Sequence, residues 1–190
     1  MVNSAESRQE SQLRTTTRIA LTIFILVGCV GCDQITKGIV RSHLPVGESF
    51  SYLHDMFRLI HAENYGAFLG LGDKLPEHAR VILFTWGVGI LTVAPLLAAF
   101  VARGVDRQRI VGLALFAAGG LGNWIDRLTG DGHVTDFLNV GLGPIRTGIF
   151  NVADMTLMVG VVIFLMATGS SSTARRTSIF SMVRRWHQSR

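Results

Sequence analysis

Two aspartates lie next to apolar stretches of this chain, where an ionised carboxylate costs roughly 3 kcal/mol or more. Asp154 comes directly before Met155–Gly169, which has no charged residue, and Asp136 lies in the loop sequence GHVTDF. Two carboxylates in a cleft of low dielectric constant cannot both ionise cheaply, so such a pair shares one proton. The ionised member can activate water while the protonated member hydrogen-bonds a carbonyl oxygen, and a proton then passes to the leaving amine. This is the chemistry of amide hydrolysis, and we expect it to need neither a metal nor a cofactor.

Amide and guanidinium side chains accompany the two carboxylates. Asn123 and Arg127 lie four residues apart and Asn151 and Asp154 three apart, so each pair shares a helix face. Each acid also has a structural explanation that does not involve catalysis. Asp126 would form an ion pair with Arg127 at a helix end, and Asp154 would be a first-turn carboxylate stabilised by the helix dipole. Ionisable residues within membranes are functional by default, and several gather here, which favours catalysis.

Other catalytic arrangements find little support in the sequence. It contains no GxSxG and no HExxH motif. Cys29 and Cys32 form a CxxC, but no βαβ pattern or second ligand pair surrounds it, so we interpret them as packing residues. The stretch LVGC at Leu26–Cys29 imitates the cleavage site of a lipoprotein signal peptide. We expect this first segment to be retained, because Asp33 and Lys37 at i and i+4 continue its helix as an ion pair.

The composition predicts a membrane protein. Only 16% of the residues are charged, and the mean hydropathy is +0.39. Val81–Ala102 contains no charged residue and is long enough to cross a hydrocarbon core of about 30 Å. Three shorter apolar runs each end at a polar cluster. We therefore predict an all-α membrane protein with four transmembrane helices, at about Arg18–Arg41, Ala79–Ala102 (with a kink at Pro95), Gln108–Leu128 and Asn151–Thr168.

The positions of the basic residues indicate how the chain is oriented. Lys and Arg concentrated in tails and short loops mark the cytoplasmic side. Here they are Arg8, Arg14, Arg18, Arg103, Arg107, Arg109, Arg175, Arg176, Arg184, Arg185 and Arg190. Both termini are therefore expected in the cytoplasm, with the polar helix ends near the outer face. The net charge of +5 is explained by these segments and by contacts with membrane lipids, so we expect no nucleic-acid partner.

The two outer loops are predicted to contain β-strands. Phe50–Leu53 and Met56–Ala62 have the composition of a hairpin, and the second loop is β-like with a turn at Gly141, Gly143 and Pro144. The chain is thereby divided into three parts. Residues 1–17 form a disordered cytoplasmic tail, 18–168 the four-helix domain, and 169–190 a basic cytoplasmic tail that is either an amphipathic helix or frayed.

Five short motifs, taken in order, resemble those of the bacterial lipoprotein signal peptidases, the signal peptidase II family. They are DQITK at Asp33–Lys37, NYGAF at Asn64–Phe68, GNWIDR at Gly122–Arg127, GHVTDF at Gly132–Phe137 and FNVAD at Phe150–Asp154. The chain reads NYGAF where the family has N-x-G-A-A-F, which alters the loop around Phe68. The resemblance implies an aspartic endopeptidase of the bacterial inner membrane, whose outer loops form a small extracytoplasmic β-sheet cradle. Such an enzyme removes the signal peptide from prolipoproteins by cutting before a cysteine that carries a diacylglyceryl group.

The resemblance also implies roles for individual residues and makes 18–168 a peptidase domain, which we expect to act as a monomer. The catalytic dyad falls on Asp136 and Asp154, while Asp33 and Lys37 stabilise the end of the first helix. The residues expected to support the dyad or bind the substrate are Asn64, Gly66, Asn123, Asp126, Arg127 and Asn151.

Two other classes of protein place polar groups within membranes. A proton-coupled carrier more often shows repeats and polar groups near the midplane, whereas here they gather at the outer end. A purely structural subunit does not need two acids in separate elements. Cleavage of a diacylglyceryl prolipoprotein distinguishes the three classes.

Overall fold

The computed structural model describes residues 15–67, 71–72, 74–101 and 105–169. Residues 1–14 and 170–190 of the two expected tails, and the loop at Phe68, lie outside the described residues. The described part is mostly helical and contains one small antiparallel sheet.

Four helices occupy the positions predicted from the apolar runs. They are α1 (Thr15–His43), α2 (Glu77–Val101), α3 (Arg107–Thr129) and α4 (Val152–Gly169). Residues 15–17 and Gly169, assigned above to the tails, are therefore helical. In α2 the turn Val81–Gly87 is π-helical, which the sequence did not predict, and Pro95 lies in the α-helical part.

Three of the described helices, α1, α2 and α4, are long and apolar enough to cross a membrane. Helix α3 does not meet that criterion, because its glycines and polar residues lower its hydropathy, so four spans are not confirmed. Helix α3 packs against α1 and α2. At Gly112 and Gly119 its backbone also lies so close to α4 that an added Cβ would collide with main-chain atoms. The polar residues near its C-terminal end, Asn123, Asp126 and Arg127, are buried among the other elements.

Four strands form the sheet, in the antiparallel order β1 (Ser49–Tyr52), β2 (Phe57–Asn64), β3 (Val134–Leu142), β4 (Ile145–Arg146). The hairpin predicted in the first outer loop is present as β1–β2. The second loop forms β3–β4, with its turn at Gly143 and Pro144 as predicted. Gly141, also predicted in this turn, instead lies in β3 and pairs with Arg146. At the β1–β2 turn, Asp55 pairs with Arg58 and thereby closes the hairpin.

Strand β3 attaches the sheet to the end of the helix bundle. Its Phe137 forms a small apolar core with Val40 and Leu44 of α1. Its Leu138 bridges to Phe150, two residues before α4 begins. The polar ends of α1, α3 and α4 therefore meet beneath this strand.

Candidate active site

A reciprocal hydrogen-bonded cap closes the first turn of α4. The backbone N–H of Asp154 donates to Asn151 Oδ1 at 2.9 Å, and the N–H of Asn151 donates to Asp154 Oδ2 at 3.2 Å. In this capping-box pattern the N-cap and N3 side chains satisfy each other's backbone donors. Asp154 is thus a first-turn carboxylate, and the cap fixes the direction in which it points.

Asp136 lies on β3 and is only 2% exposed. Its Oδ1 accepts a hydrogen bond from Asn151 Nδ2 at 2.6 Å, and its Oδ2 accepts one from Asn64 Nδ2 at 2.8 Å. Because the backbone N–H of Asn151 binds the carboxylate of Asp154, the single residue Asn151 donates to both acids. We call Asp136 and Asp154 the aspartate pair.

Asn123 of α3 is a second amide that holds the pair. Its Nδ2 donates to Asp154 Oδ1 at 2.8 Å. Its Oδ1 accepts from Asn151 Nδ2 at 3.0 Å and from Lys37 Nζ at 2.9 Å. Three of the four carboxylate oxygens of the pair are therefore held by amide side chains and the fourth by the backbone N–H of Asn151, and Asn123 connects them to a buried ammonium group.

Lys37 is that ammonium group, and it is completely buried. Besides Asn123, its Nζ lies 2.8 Å from Asp33 Oδ2 and 2.9 Å from Asp126 Oδ2. The predicted Asp33–Lys37 ion pair is present. Three acceptors match the three N–H bonds of an ammonium. This complete set of partners offsets the several kcal/mol that burying each ion would otherwise cost.

The two carboxylates that pair with Lys37 also hold the backbone beside each member of the aspartate pair. Asp33 Oδ1 accepts from the N–H of Ala153 at 2.9 Å, one residue before Asp154. Asp126 Oδ2 accepts from the N–H of Thr135 at 3.1 Å, one residue before Asp136. The position of both acids is thereby tied to the same buried charge cluster.

Arg127 contacts the loop after β2 and not its neighbour Asp126, so the predicted helix-end ion pair is absent from the described residues. Its Nη2 donates to the carbonyl of Gly66 at 2.6 Å. The N–H of Gly66 in turn donates to Asn64 Oδ1 at 3.0 Å. Arg127 therefore connects α3 to the amide that binds Asp136.

Burial, followed by the negative charge of Asp154, raises the pKa of Asp136 from 3.8 to about 7. Hydrogen bonds from Asn64 and Asn151 and the charge of Lys37 act in the opposite direction. Near neutral pH Asp136 therefore exists in both protonated and ionised forms. It is able to hold the single proton that a close pair of carboxylates shares.

The structure brings all the residues predicted from the sequence into one hydrogen-bonded network. The network has further members that the motifs do not include, among them Gln34 and Thr135. Gln34 Nε2 donates to Asp126 Oδ1 and to the carbonyl of Gly122, both at 3.0 Å. Gln34 could have been found from the sequence, because it is a polar residue beside Asp33 in an otherwise apolar helix. Thr135 gave no such signal, because its bond to Asp126 uses the backbone.

Solved structures place this fold among bacterial membrane enzymes. One structure, described as a bacterial membrane enzyme, has a TM-score of 0.70 and 28% identity, covering 82% of this chain and 92% of that one. A second with the same description has a TM-score of 0.68 and 29% identity, covering 79% and 93%. The class defined by fold and site is thus that of a membrane-embedded enzyme.

The family follows from the sequence comparisons. Residues 24–169 match the family model of signal peptidase (SPase) II. The lipoprotein signal peptidase of Desulforapulum autotrophicum is 33% identical, over 80% of this chain and 91% of its own length. That of Moorella thermoacetica is 36% identical over 69% and 81%, and that of Streptococcus pneumoniae 33% over 78% and 92%. The chain belongs to the signal peptidase II family and is therefore a peptidase.

Proposed function

We propose that this protein is an aspartic endopeptidase that removes the signal peptide from diacylglyceryl-modified prolipoproteins, with Asp136 and Asp154 as catalytic residues. Its similarity to lipoprotein signal peptidases supports the reaction and the class of substrate. The observation that carries the catalytic assignment is that Asn151 donates to both carboxylates, to that of Asp136 through its side-chain Nδ2 and to that of Asp154 through its backbone N–H. Two acids from separate elements are thereby held at one place.

In this mechanism Asp136 carries the shared proton and Asp154 is ionised. The raised pKa of Asp136 supports the first assignment. The position of Asp154 in the first turn of α4, with two N–H donors on its oxygens, supports the second. Asp154 takes a proton from water as the water oxygen attacks the scissile carbonyl carbon, and Asp136 donates a hydrogen bond to the carbonyl oxygen. Asp154 then gives its proton to the departing nitrogen as the C–N bond breaks.

The remaining residues of the network position the pair. Asn64, Asn123 and Asn151 orient the four carboxylate oxygens. The residues that fix the surrounding backbone are Asp33, Lys37, Gly66, Asp126 and Arg127. We expect substitutions among them to lower the rate by displacing the acids. One chain contains every part of the site, which fits a monomer that needs no cofactor.

We further propose that α3 is a fourth transmembrane helix. Its 23 residues extend about 34 Å at 1.5 Å per residue, more than the hydrocarbon core of about 30 Å. Burial among the other helices keeps Asn123 and Asp126 out of lipid. With the arginine-bearing ends in the cytoplasm, both termini are cytoplasmic and the aspartate pair lies near the outer face of the inner membrane. A lipidated cysteine would hold the scissile bond at that depth.

The test is cleavage of a diacylglyceryl prolipoprotein by the purified protein, followed by mass spectrometry. Asp136→Asn and Asp154→Asn should each abolish the released signal peptide, with at least about a 1,000-fold loss of rate, because each removes a proton donor or acceptor. Asp131→Asn is the matched control. It changes an exposed acid in the turn after α3, at a positive φ that Asn tolerates, and should keep the wild-type rate.

Full activity of Asp136→Asn or of Asp154→Asn would show that the aspartate pair is not catalytic. Movement of solute across vesicles without any cleavage would favour a carrier. Thermal unfolding of all three variants, compared with that of the wild type, confirms that a loss of rate is not a loss of fold.

A further inference from the structure

A cavity lies between α3 and α4, at the opposite end of the bundle from the aspartate pair. Its volume is about 470 Å³, within the range of about 300–1,000 Å³ found for ligand sites. It is lined by Arg107, Gln108 and Val111 of α3 and by Ile163 and Met166 of α4. The polar residues Arg107 and Gln108 are the first two of α3, whereas Val111 and Ile163 lie about one turn further along the bundle.

The cavity contains a cation that no residue in the described part of the chain neutralises. Arg18, at the same end of the bundle, donates to the carbonyl of Phe100, and Arg109 pairs with Asp106 at 3.2 Å. Arg107 is exposed and makes no hydrogen bond or ion pair with any residue that the structure describes. Its guanidinium is therefore available for an anionic group, with up to five N–H donors.

We propose that this cavity binds one anionic phospholipid, with the phosphate on Arg107 and an acyl chain along Val111, Ile163 and Met166. A charged end followed by an apolar wall matches a lipid and not a soluble phosphate, which would leave the apolar part empty. Planar guanidinium groups bind phosphate oxygens well, through two parallel hydrogen bonds.

The position of the cavity agrees with this ligand. It opens at the end of the bundle that carries Arg18, Arg107 and Arg109, the end expected to face the cytoplasmic leaflet, where anionic lipids are abundant. Along α3, Gln108 and Asn123 are separated by about 22 Å at 1.5 Å per residue. The lipid site is therefore separate from the aspartate pair, and the proposal does not depend on the peptidase mechanism.

The experiment is native mass spectrometry of the full chain released from nanodiscs that contain phosphatidylglycerol and phosphatidylcholine with the same acyl chains. The wild type should retain one phosphatidylglycerol in preference to phosphatidylcholine. Arg107→Gln should weaken that retention about tenfold, the value of one charged hydrogen-bond pair. Arg107→Lys keeps the charge and should restore most of it.

Two further variants distinguish binding of the lipid in this cavity from its general electrostatic attraction to a positively charged protein. Met166→Trp leaves the charge unchanged and fills the apolar wall, so it should also release the lipid. Lys74→Gln removes a positive charge from an exposed residue at the other end of the bundle and should retain phosphatidylglycerol like the wild type.

Several outcomes would overturn the proposal. They are equal retention of the two lipids by the wild type, unchanged retention in Arg107→Gln, an equal loss in Lys74→Gln, and displacement of the lipid by inorganic phosphate. Because every one of these variants lies outside the aspartate pair, cleavage activity should persist throughout and serves as the check on folding. Loss of cleavage in Asp136→Asn with normal lipid retention would separate the two sites.

Discussion

Asp136 is surrounded by groups that shift its pKa in opposite directions. Burial and the charge of Asp154 raise its pKa to about 7, while Asn64, Asn151 and Lys37 lower it. If Asp136 must be protonated to hydrogen-bond the scissile carbonyl, the cleavage rate of the wild type should fall as the pH rises through about 7, because the ionised acid has no proton to donate. Asn64→Ala removes a hydrogen bond that lowers the pKa, so the fall should move to higher pH. The measurement is the rate of signal-peptide release against pH.

Asp131→Asn provides the comparison, because it changes an acid outside the hydrogen-bonded network and should keep the wild-type profile. An Asn64→Ala profile with its alkaline limb unmoved would show that Asp136 is not the titrating group. The same variant should also cleave more slowly at every pH, since Asp136 Oδ2 loses the donor that orients it.

The structural and functional interpretations of Asp154 prove compatible. From the sequence alone, a structural role for Asp154 in the first helical turn is an alternative to a catalytic role. In the structure the cap formed with Asn151 is what points Asp154 toward Asn123. Spacing was sufficient to place Asn151 and Asp154 on one face. It could not reveal that the other face of the same amide contacts Asp136, because that contact depends on where β3 packs.

Close approach of α3 and α4 sets the position of the aspartate pair. A Cβ on Gly119 would lie 2.6 Å from the backbone nitrogen of Leu157 in α4. Gly119→Ala should therefore separate the helices, lower stability by about 1–3 kcal/mol and reduce cleavage. Gly28→Ala is the matched control. It lies on the exposed face of α1 with nothing within 4 Å of the added Cβ, and should gain up to about 1 kcal/mol of helix propensity.

Thermal unfolding in detergent and the cleavage rate are measured on both variants. A Gly119→Ala enzyme as stable and as active as Gly28→Ala would mean that α3 and α4 pack less closely than the structure indicates.

Helices were easier to predict from this sequence than strands. An apolar run must match the thickness of the bilayer, so the run at Val81–Ala102 located α2, and a shorter run with Asp33 and Lys37 after it located α1, each to within about three residues. The strands depend on partners far away in the chain. β2 extends to Asn64, beyond the predicted Ala62, because Asn64 pairs with Val134 of β3. The irregular register between Leu59 and Ala62 likewise arises from pairing that no local pattern encodes.

At the scale of the whole molecule, one buried charge cluster joins the bundle to the sheet. Lys37 of α1 binds Asp126 of α3, and the two carboxylates around it hold the backbone of β3 and α4. The sequence analysis assigned Asp33 and Lys37 to the end of one helix. It could not anticipate that they connect four elements, because α3, β3 and α4 meet α1 only in the tertiary structure.

The arrangement of the molecule in the membrane is tested by the two ends of α3. In a chain with Cys29 and Cys32 replaced by alanine, Gln108→Cys and Asp131→Cys place single thiols just inside the start of α3 and just after its end. If α3 is a fourth span with its arginine-bearing end in the cytoplasm, an impermeant maleimide should label position 131 in right-side-out vesicles. Position 108 should be labelled only after the vesicles are inverted.

His54→Cys, in the β1–β2 turn, should behave like position 131, because β2 pairs with β3 and the sheet lies on one side of the bundle. Labelling of positions 108 and 131 from the same side would exclude α3 as a span. It would also place the sheet and the arginine-bearing end on the same side of the membrane. Labelling of position 108 alone in right-side-out vesicles would invert the molecule. The aspartate pair would then face the cytoplasm, where a signal peptide that has already crossed the membrane does not present its cleavage site.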